Sequence, residues 1–214
     1  MKRIITIVLL SVSILSVDAQ VDKLAGPRVG VTMVQAGSLA SILRKDVPLF
    51  SDDIREEWTG STGKYGAVMS QYGWQWESRF LDGGDVVGLV EWIALVGGME
   101  KGMFLPSVSS MVGLRTASGF EFAAGPNLSL GGIAMVIGIG KTLKFGKLNV
   151  PVNIAYVPSM NKTYDYDAEY EYIAEYDENG DYMGSLEVET SPKYSVTHPT
   201  GARISVMVGF NLGK

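Results

Sequence analysis

The sequence predicts an all-β fold, an eight-stranded antiparallel transmembrane β-barrel in which each strand pairs with the next. The first observation is residues 64–81, which place apolar or aromatic residues at even positions and polar or charged residues at odd ones. This period of two is that of a strand, whose side chains alternate between faces. The second is the length of this segment, since strands of soluble domains typically have about five or six residues. One apolar and one charged face are typical of a barrel wall between lipid and a polar lumen.

Seven further segments complete the predicted barrel. They are residues 27–36, 86–96, 102–116, 120–129, 132–143, 147–157 and 201–212. Residues 86–96 are apolar on both faces apart from Glu91, so periodicity alone does not separate a buried strand from a helix there. The glycines in and after this segment favour a strand. The turn at residues 117–119 is expected to be a three-residue hairpin loop, which sets Arg115 opposite Glu121 in the lumen.

Two connections are long, residues 37–62 and 158–200, and both are expected to be extracellular loops. The first is expected to contain a short helix at residues 38–44 and another near Trp58. In the second, Asn179-Gly180 predicts a hairpin with a type I′ turn, which would form a separate two-stranded arm. If both termini are periplasmic, every even-numbered connection is a short periplasmic turn, which is the asymmetry expected of such barrels.

The N-terminal residues have the pattern of a secretory signal peptide. Lys2 and Arg3 precede an apolar stretch, and small residues stand at 17 and 19, the positions that a signal peptidase reads. We therefore expect residues 1–19 to be removed and residues 20–214 to form a single barrel domain. The sequence has no cysteine, which excludes a disulfide framework and a lipid anchor on cysteine.

Inward-facing polar residues form the first candidate site. They are Gln71, Gln75, Glu77, Arg79, Glu91, Arg115, Glu121, Asn153, Arg203 and Asn211. Eight strands enclose a space that side chains just fill, so these residues are expected to pair with one another as a packed polar network. The alternative is a narrow ion path or gate.

The second long connection is the other candidate site. Residues 159–200 contain ten acids and two bases, so the acidity of the chain is concentrated there. Seven of the ten tyrosines also fall there, and tyrosine is enriched in binding surfaces. The predicted partner-binding tyrosines are Tyr164, Tyr166, Tyr170, Tyr172, Tyr176 and Tyr182. The alternative is that they only pack the loop against the barrel mouth. The sequence has no basic nucleic-acid patch and no phosphate loop.

Catalysis and metal binding have weaker support. His198 near Ser195 would suit a lipid-modifying barrel enzyme, but a lone histidine without a fixed acid is a poor triad. Asp177, Asn179 and Asp181 resemble the start of a calcium loop, whose glycine and bidentate acid are replaced by Tyr182 and Val188. No catalytic residue, metal site or cofactor is expected, although weak binding of divalent cations by the acidic arm is an alternative.

The segments GFEFAAGPNLSL and LNVPVNIAYVPS and the ending ARISVMVGFNLGK resemble small outer-membrane β-barrel proteins. They are similar to the porin-like or OmpA-type barrels of Bacteroidota. The resemblance implies an integral protein of the cell outer membrane that contacts lipid and lipopolysaccharide and is inserted by the barrel-assembly machinery. The function that we expect is a non-enzymatic structural or accessory subunit, which contacts an outer-membrane protein partner through its extracellular loops. A narrow porin-like channel is the alternative, and a lipid-modifying enzyme is a third possibility.

Overall fold

The computed structural model describes residues 24–46 and 63–212. Their contacts divide into two compact units: Asn161–Pro199, and the residues through Met160 together with those from Thr200 onward. The strands, in chain order, are β1 (Gly26–Val34), β2 (Ala67–Asp82), β3 (Val86–Gly97), β4 (Leu105–Thr116), β5 (Phe120–Ser129), β6 (Gly132–Phe145), β7 (Leu148–Val157), β8 (Asn161–Tyr166), β9 (Glu169–Tyr176), β10 (Tyr182–Ser191), β11 (Tyr194–Pro199), β12 (Arg203–Gly209) and β13 (Asn211–Leu212).

The unit that includes Met160 and Thr200 is a closed barrel. Strands β1 to β7 each pair antiparallel with the next, and β12 pairs with both β7 and β1. The short strand β13 continues the line of β12 along β7 after a break at Phe210, so β12 and β13 together count as one strand of the barrel. Closure leaves the sheet without a free edge. The predicted all-β, eight-stranded antiparallel meander is confirmed, and the ambiguous segment at Glu91 is strand β3.

The connections at one end of the barrel are all short, whereas those at the other end vary in length. Hairpins of two or three residues join β2 to β3, β4 to β5 and β6 to β7, all at one end. The predicted loop at residues 117–119 is present, and Gly119 adopts the left-handed conformation with φ of 85°. The strand ends that flank the two long connections pair at the opposite end, Val34 with Ala67 and Val157 with Arg203. Both long connections therefore start from one end, as expected, although the two-residue connection between β5 and β6 is at that end too.

A short helix, α1 (Ser38–Arg44), follows β1 as predicted. Its buried Leu39, Ala40 and Leu43 pack against Val34, Met69 and Leu105 of the barrel strands. The helix ends at Lys45, whose left-handed conformation lets its N–H bond to the carbonyl of Ile42. No helix within the described ranges is long and apolar enough to cross a membrane. The predicted helix near Trp58 and the predicted signal peptide lie outside the described residues.

Side chains of the barrel strands alternate between interior and exterior. On β4, Ser109, Met111 and Arg115 are buried, whereas Val112 and Leu114 are at least half exposed. The same alternation is present on β2. Tyr72, Trp74 and Trp76 are exposed there, whereas the side chains of Gln71, Gln75, Glu77 and Arg79 are buried. Gly73 is half-buried. The interior is therefore mainly polar at the level of Glu77 and the exterior apolar, the reverse of a soluble barrel.

The unit Asn161–Pro199 contains two antiparallel strand pairs. Strands β9 and β10 form the predicted hairpin, and β8 pairs with β11, which the sequence did not indicate. The predicted type I′ turn is wrong, because that turn requires positive φ at both central residues and Asn179 does not adopt it. Instead the Gly180 N–H donates to the Asp177 carbonyl, and Gly180 alone is left-handed with φ of 87°. The Asp177 carboxylate accepts from the N–H groups of Asn179 and Asp181, which favours this three-residue loop over a two-residue one.

Candidate functional site

The register of four neighbouring strands brings four ionisable side chains to one level of the barrel interior. Glu77 on β2 lies opposite Glu91 on β3, and Arg115 on β4 lies opposite Glu121 on β5. All four have inward parity and are less than a tenth exposed. The predicted cross-strand pair of Arg115 and Glu121 is present, with Arg115 Nε donating to Glu121 Oε2 at 2.6 Å.

Arg115 is the centre of this group, because its guanidinium contacts three carboxylates. Nη1 donates to Glu77 Oε1 at 2.9 Å, and Nη2 donates to Glu77 Oε2 at 2.7 Å. Nη2 also lies 3.5 Å from Glu91 Oε1. Two parallel hydrogen bonds from one arginine to one carboxylate fix both position and orientation. The arginine therefore crosslinks strands that are not neighbours in the sheet.

Further side chains extend the group into a network that we call the charged layer. Arg79 Nε donates to Glu77 at 3.2 Å, Gln75 donates to Glu91 at 2.6 Å, and Arg28 Nε donates to the Gln75 oxygen at 2.9 Å. Asn153 Nδ2 lies 3.3 Å from Glu121 Oε1. The charged layer consists of Arg28, Gln75, Glu77, Arg79, Glu91, Arg115, Glu121 and Asn153. Three arginines and three glutamates balance in charge, as buried ionised groups must.

Three of the predicted interior residues lie outside the charged layer. Gln71 Oε1 accepts from Thr32 Oγ1 at 2.5 Å, and Thr32 is also 2.7 Å from Ser205 Oγ. Arg203 donates to Asn127 Oδ1 at 3.1 Å and to Ser129 Oγ at 3.2 Å. Asn211 donates to the carbonyl of Ala25. The interior thus holds one charged layer and separate neutral contacts rather than a single network.

Arg28 is a member of the charged layer that sequence reasoning missed. It precedes the clearest part of β1, but it has the parity of Thr32, so alternation alone would have placed it inside. Gly209 lies opposite Arg28 across the β1–β12 pair. A Cβ at Gly209 would overlap the Arg28 guanidinium, so the glycine makes room for it. Gly140 makes similar room for the amide of Asn153.

Side chains fill most of the interior of the barrel. Two cavities that border the inward-facing residues measure about 60 Å³ and about 40 Å³, whereas one water occupies about 30 Å³ of liquid. A larger cavity of about 290 Å³ lies at the end with the short hairpins, where Arg115, Thr142 and Asn149 line it. The interior cavities therefore offer room for one or two waters, not for a solute of sugar size.

Tyrosines and acids share one face of the β9–β10 hairpin. Tyr172 lies opposite Glu187 and donates its hydroxyl to that carboxylate at 3.0 Å, a contact that raises the pKa of Tyr172. Tyr170 lies opposite Glu189, and Tyr176 lies opposite Tyr182, with ring centroids 6.0 Å apart. The side chains of Tyr170, Tyr172, Tyr176 and Tyr182 are at least half exposed. We call this surface the tyrosine face.

The other two predicted tyrosines lie on the β8–β11 pair. Tyr166 stacks on Tyr194, with ring centroids 4.9 Å apart and planes within 10°. Tyr164 lies on β8 in register with Val196 of β11. The six predicted tyrosines are therefore divided between two strand pairs, and four of them form the tyrosine face.

The structure does not form a catalytic arrangement from Ser195 and His198. They are three residues apart on β11, so their side chains lie on opposite faces of the strand. Ser195 Oγ donates to Asp165 Oδ1 at 2.5 Å. His198 is buried, and desolvation lowers its pKa. In the described part of the chain, no three acidic, histidine or cysteine side chains are placed to hold a metal ion.

Comparison of this chain with protein-family models, curated proteins and solved structures found no match.

Proposed function

We propose that this protein is a non-enzymatic β-barrel of the cell outer membrane and that its tyrosine-rich arm binds a partner protein. The observation that carries the proposal is the inversion of the barrel, with buried charges inside and large apolar side chains outside. The exposed apolar residues include Val31, Val68, Trp74, Trp76, Trp92, Val108, Val112, Phe122, Met135, Ile137, Ile139, Ile154 and Val206. In water these apolar side chains would stay exposed to solvent, whereas in a bilayer lipid tails would cover them.

Strand length supports a membrane location. The strands from β1 to β7 have 9 to 16 residues, and crossing a bilayer takes about 9–11 residues in a tilted strand. A closed barrel also pairs its backbone groups between strands, which hydrocarbon requires. The resemblance to porin-like and OmpA-type barrels of Bacteroidota points to the outer membrane, where contact with lipopolysaccharide and insertion by the barrel-assembly machinery would follow.

The filled interior favours an anchoring role over a channel. The charged layer joins strands β1 to β5 and β7 by direct hydrogen bonds, and the interior cavities beside it are close to the size of water. The apolar cluster of Leu39, Leu43, Met69 and Leu105 adds a second packed level near the end with the long connections. Because side chains fill the interior, the surface best suited to binding is the tyrosine-rich and acidic arm, Asn161–Pro199.

The tyrosine face has the composition of a protein-binding surface. Tyrosine rings offer large contact areas and a hydrogen-bonding hydroxyl at low conformational cost. The acidic residues around them favour a partner with a basic contact surface, since complementary charges speed association. We propose an outer-membrane protein as this partner.

The test is purification of the tagged full-length chain from its own membranes in mild detergent. The test variant replaces Tyr170, Tyr172 and Tyr176 with serine on the tyrosine face. The control variant replaces Glu171 and Glu175 with serine, on the opposite face of the same strand. We expect a stoichiometric partner with wild type and control and its loss with the tyrosine variant. Recovery of the wild type as a lone barrel, or retention of the partner by the tyrosine variant, would contradict the proposal.

A further inference from the structure

Arg203 is an inward-facing arginine of the barrel without an acidic partner among the residues that the structure describes. It begins β12, and two of its five N–H groups donate to neutral oxygens, Ser129 Oγ and Asn127 Oδ1. Among the described residues, no carboxylate forms an ion pair with it. Arg115, in contrast, contacts three glutamates. Arginine does not lose its proton in proteins, so Arg203 keeps its charge.

Hydroxyl groups and a cavity lie beside this guanidinium. The cavity of about 60 Å³ is lined by Arg203 together with Thr32, Ser107, Ser109 and Ser205. Ser107 is buried, and its hydroxyl donates to no acceptor within the described residues. A second space of about 20 Å³ borders Arg203, Ser107 and Ser129 below Leu39 of α1. Thr32 donates its hydroxyl to Gln71 and accepts from Ser205, so the unused donors that border this small volume are those of Arg203, Ser107 and Ser109.

Arg203 is half-buried. A cation that has lost part of its hydration and has no counter-charge is costly, and a bound anion reduces that cost. We propose that the Arg203 cavity binds a small monovalent inorganic anion of the size of chloride, held by Arg203 and by the hydroxyl groups of Ser107 and its neighbours. The cavity has about twice the volume share of one water, about 30 Å³. A halide fits this volume, whereas a phosphorylated metabolite or a sugar does not.

The position of the site indicates a structural role for the anion. The site lies between the apolar cluster of α1 and the part of the interior that contains Met111 and Met207. Those apolar side chains separate Arg203 from Glu91 and Glu121, which border a different cavity. The anion would therefore neutralise this level of the barrel independently of the charged layer. This inference does not depend on the partner proposed for the arm.

The test measures unfolding of the refolded full-length chain in an uncharged detergent, with chloride exchanged for gluconate at constant ionic strength. Because an anion that binds only the folded state stabilises it, the ratio of folded to unfolded protein should rise toward tenfold for each tenfold increase in chloride above the dissociation constant. Bromide should act in the same way. We expect Arg203→Gln to lose this dependence and Ser107→Ala to weaken it. The control variant is Arg44→Gln, which changes an exposed arginine and should keep the full dependence.

Two results would overturn the proposal. One is equal stability of the wild type in chloride and gluconate. The other is the same chloride dependence in Arg203→Gln as in wild type, which would show a general salt effect. If Arg203→Gln does not fold, anomalous diffraction from wild-type crystals grown in bromide decides, together with Ser107→Ala. A bromide peak beside the Arg203 guanidinium supports the site, and its absence there rejects the site.

Discussion

Arg115 on β4 donates hydrogen bonds to both carboxylate oxygens of Glu77 on β2, and β3 lies between these two strands. The two hydrogen bonds measure 2.9 and 2.7 Å, and both side chains are less than a tenth exposed. The contact links β2 to β4 across the interior of the barrel. Arg79 also donates to Glu77. A change at Glu77 therefore affects two arginines at once.

Replacing Glu77 by glutamine is expected to destabilise the barrel by about 3–5 kcal/mol, because it leaves buried positive charge without compensation. The measurement is equilibrium unfolding in urea of the protein refolded in lipid vesicles. The matched control is Glu187→Gln on the arm, which removes the same charge from an exposed position and should change stability by about 0.5 kcal/mol or less. Equal effects of the two substitutions would contradict the structural role of the charged layer.

The filled interior predicts that the wild-type protein forms no steady pore. In planar bilayers we expect no lasting conductance above the background of the lipid, because the two cavities inside the barrel hold only one or two waters each. Vesicles from the same preparation should contain folded protein, which heat-dependent migration on gels would show. A steady conductance that changes with substitution of Glu77 or Arg79 would instead identify an ion path through the interior.

The stability of the turn at residues 177–181 is predicted to depend on pH. Hydrogen bonds from the backbone N–H groups of Asp181 and Asn179 hold the pKa of Asp177 below its ordinary value of 3.8. Because the pKa is lowered in the folded state, the stabilisation is fully present at pH values above 3.8. It is lost as the pH falls through the lower pKa of Asp177 in the folded protein. Amide resonances of Asn179 and Asp181 in the full-length chain should therefore shift with a midpoint below 3.8. Asp177→Ala should remove this transition, and a midpoint at or above 3.8 would contradict the cap.

The alternation of residue types predicted the barrel, because side chains on a strand alternate strictly between faces. It placed Glu77, Glu91 and Arg115 inside, and the hairpin loop at Gly119 set Arg115 opposite Glu121, as observed. The bidentate contact with Glu77 could not be predicted in this way. It joins strands that are not adjacent, so it depends on the curvature of the closed barrel rather than on pairing register.

The remaining differences also have physical reasons. Arg203 has inward parity but lies at a different height from Glu91, and parity carries no information about height along the barrel axis. The Asn179-Gly180 pair predicted the hairpin but not its turn type, because the preceding Asp177 carboxylate caps the loop in another conformation. The β8–β11 pair was missed since polar strands outside a core lack an apolar alternation to reveal them.

A spin-label scan along β6 tests the central claim, that the outer face of the barrel lies against lipid. The sequence has no cysteine, so single cysteines at residues 133–139 each give one labelled site. In reconstituted vesicles we expect labels at 133, 135, 137 and 139 to collide readily with oxygen and poorly with a water-soluble nickel complex. Labels at Ala134 and Val136 should be shielded from both. Ready collision of the odd-numbered positions with the nickel complex would place this face in water and contradict a membrane barrel.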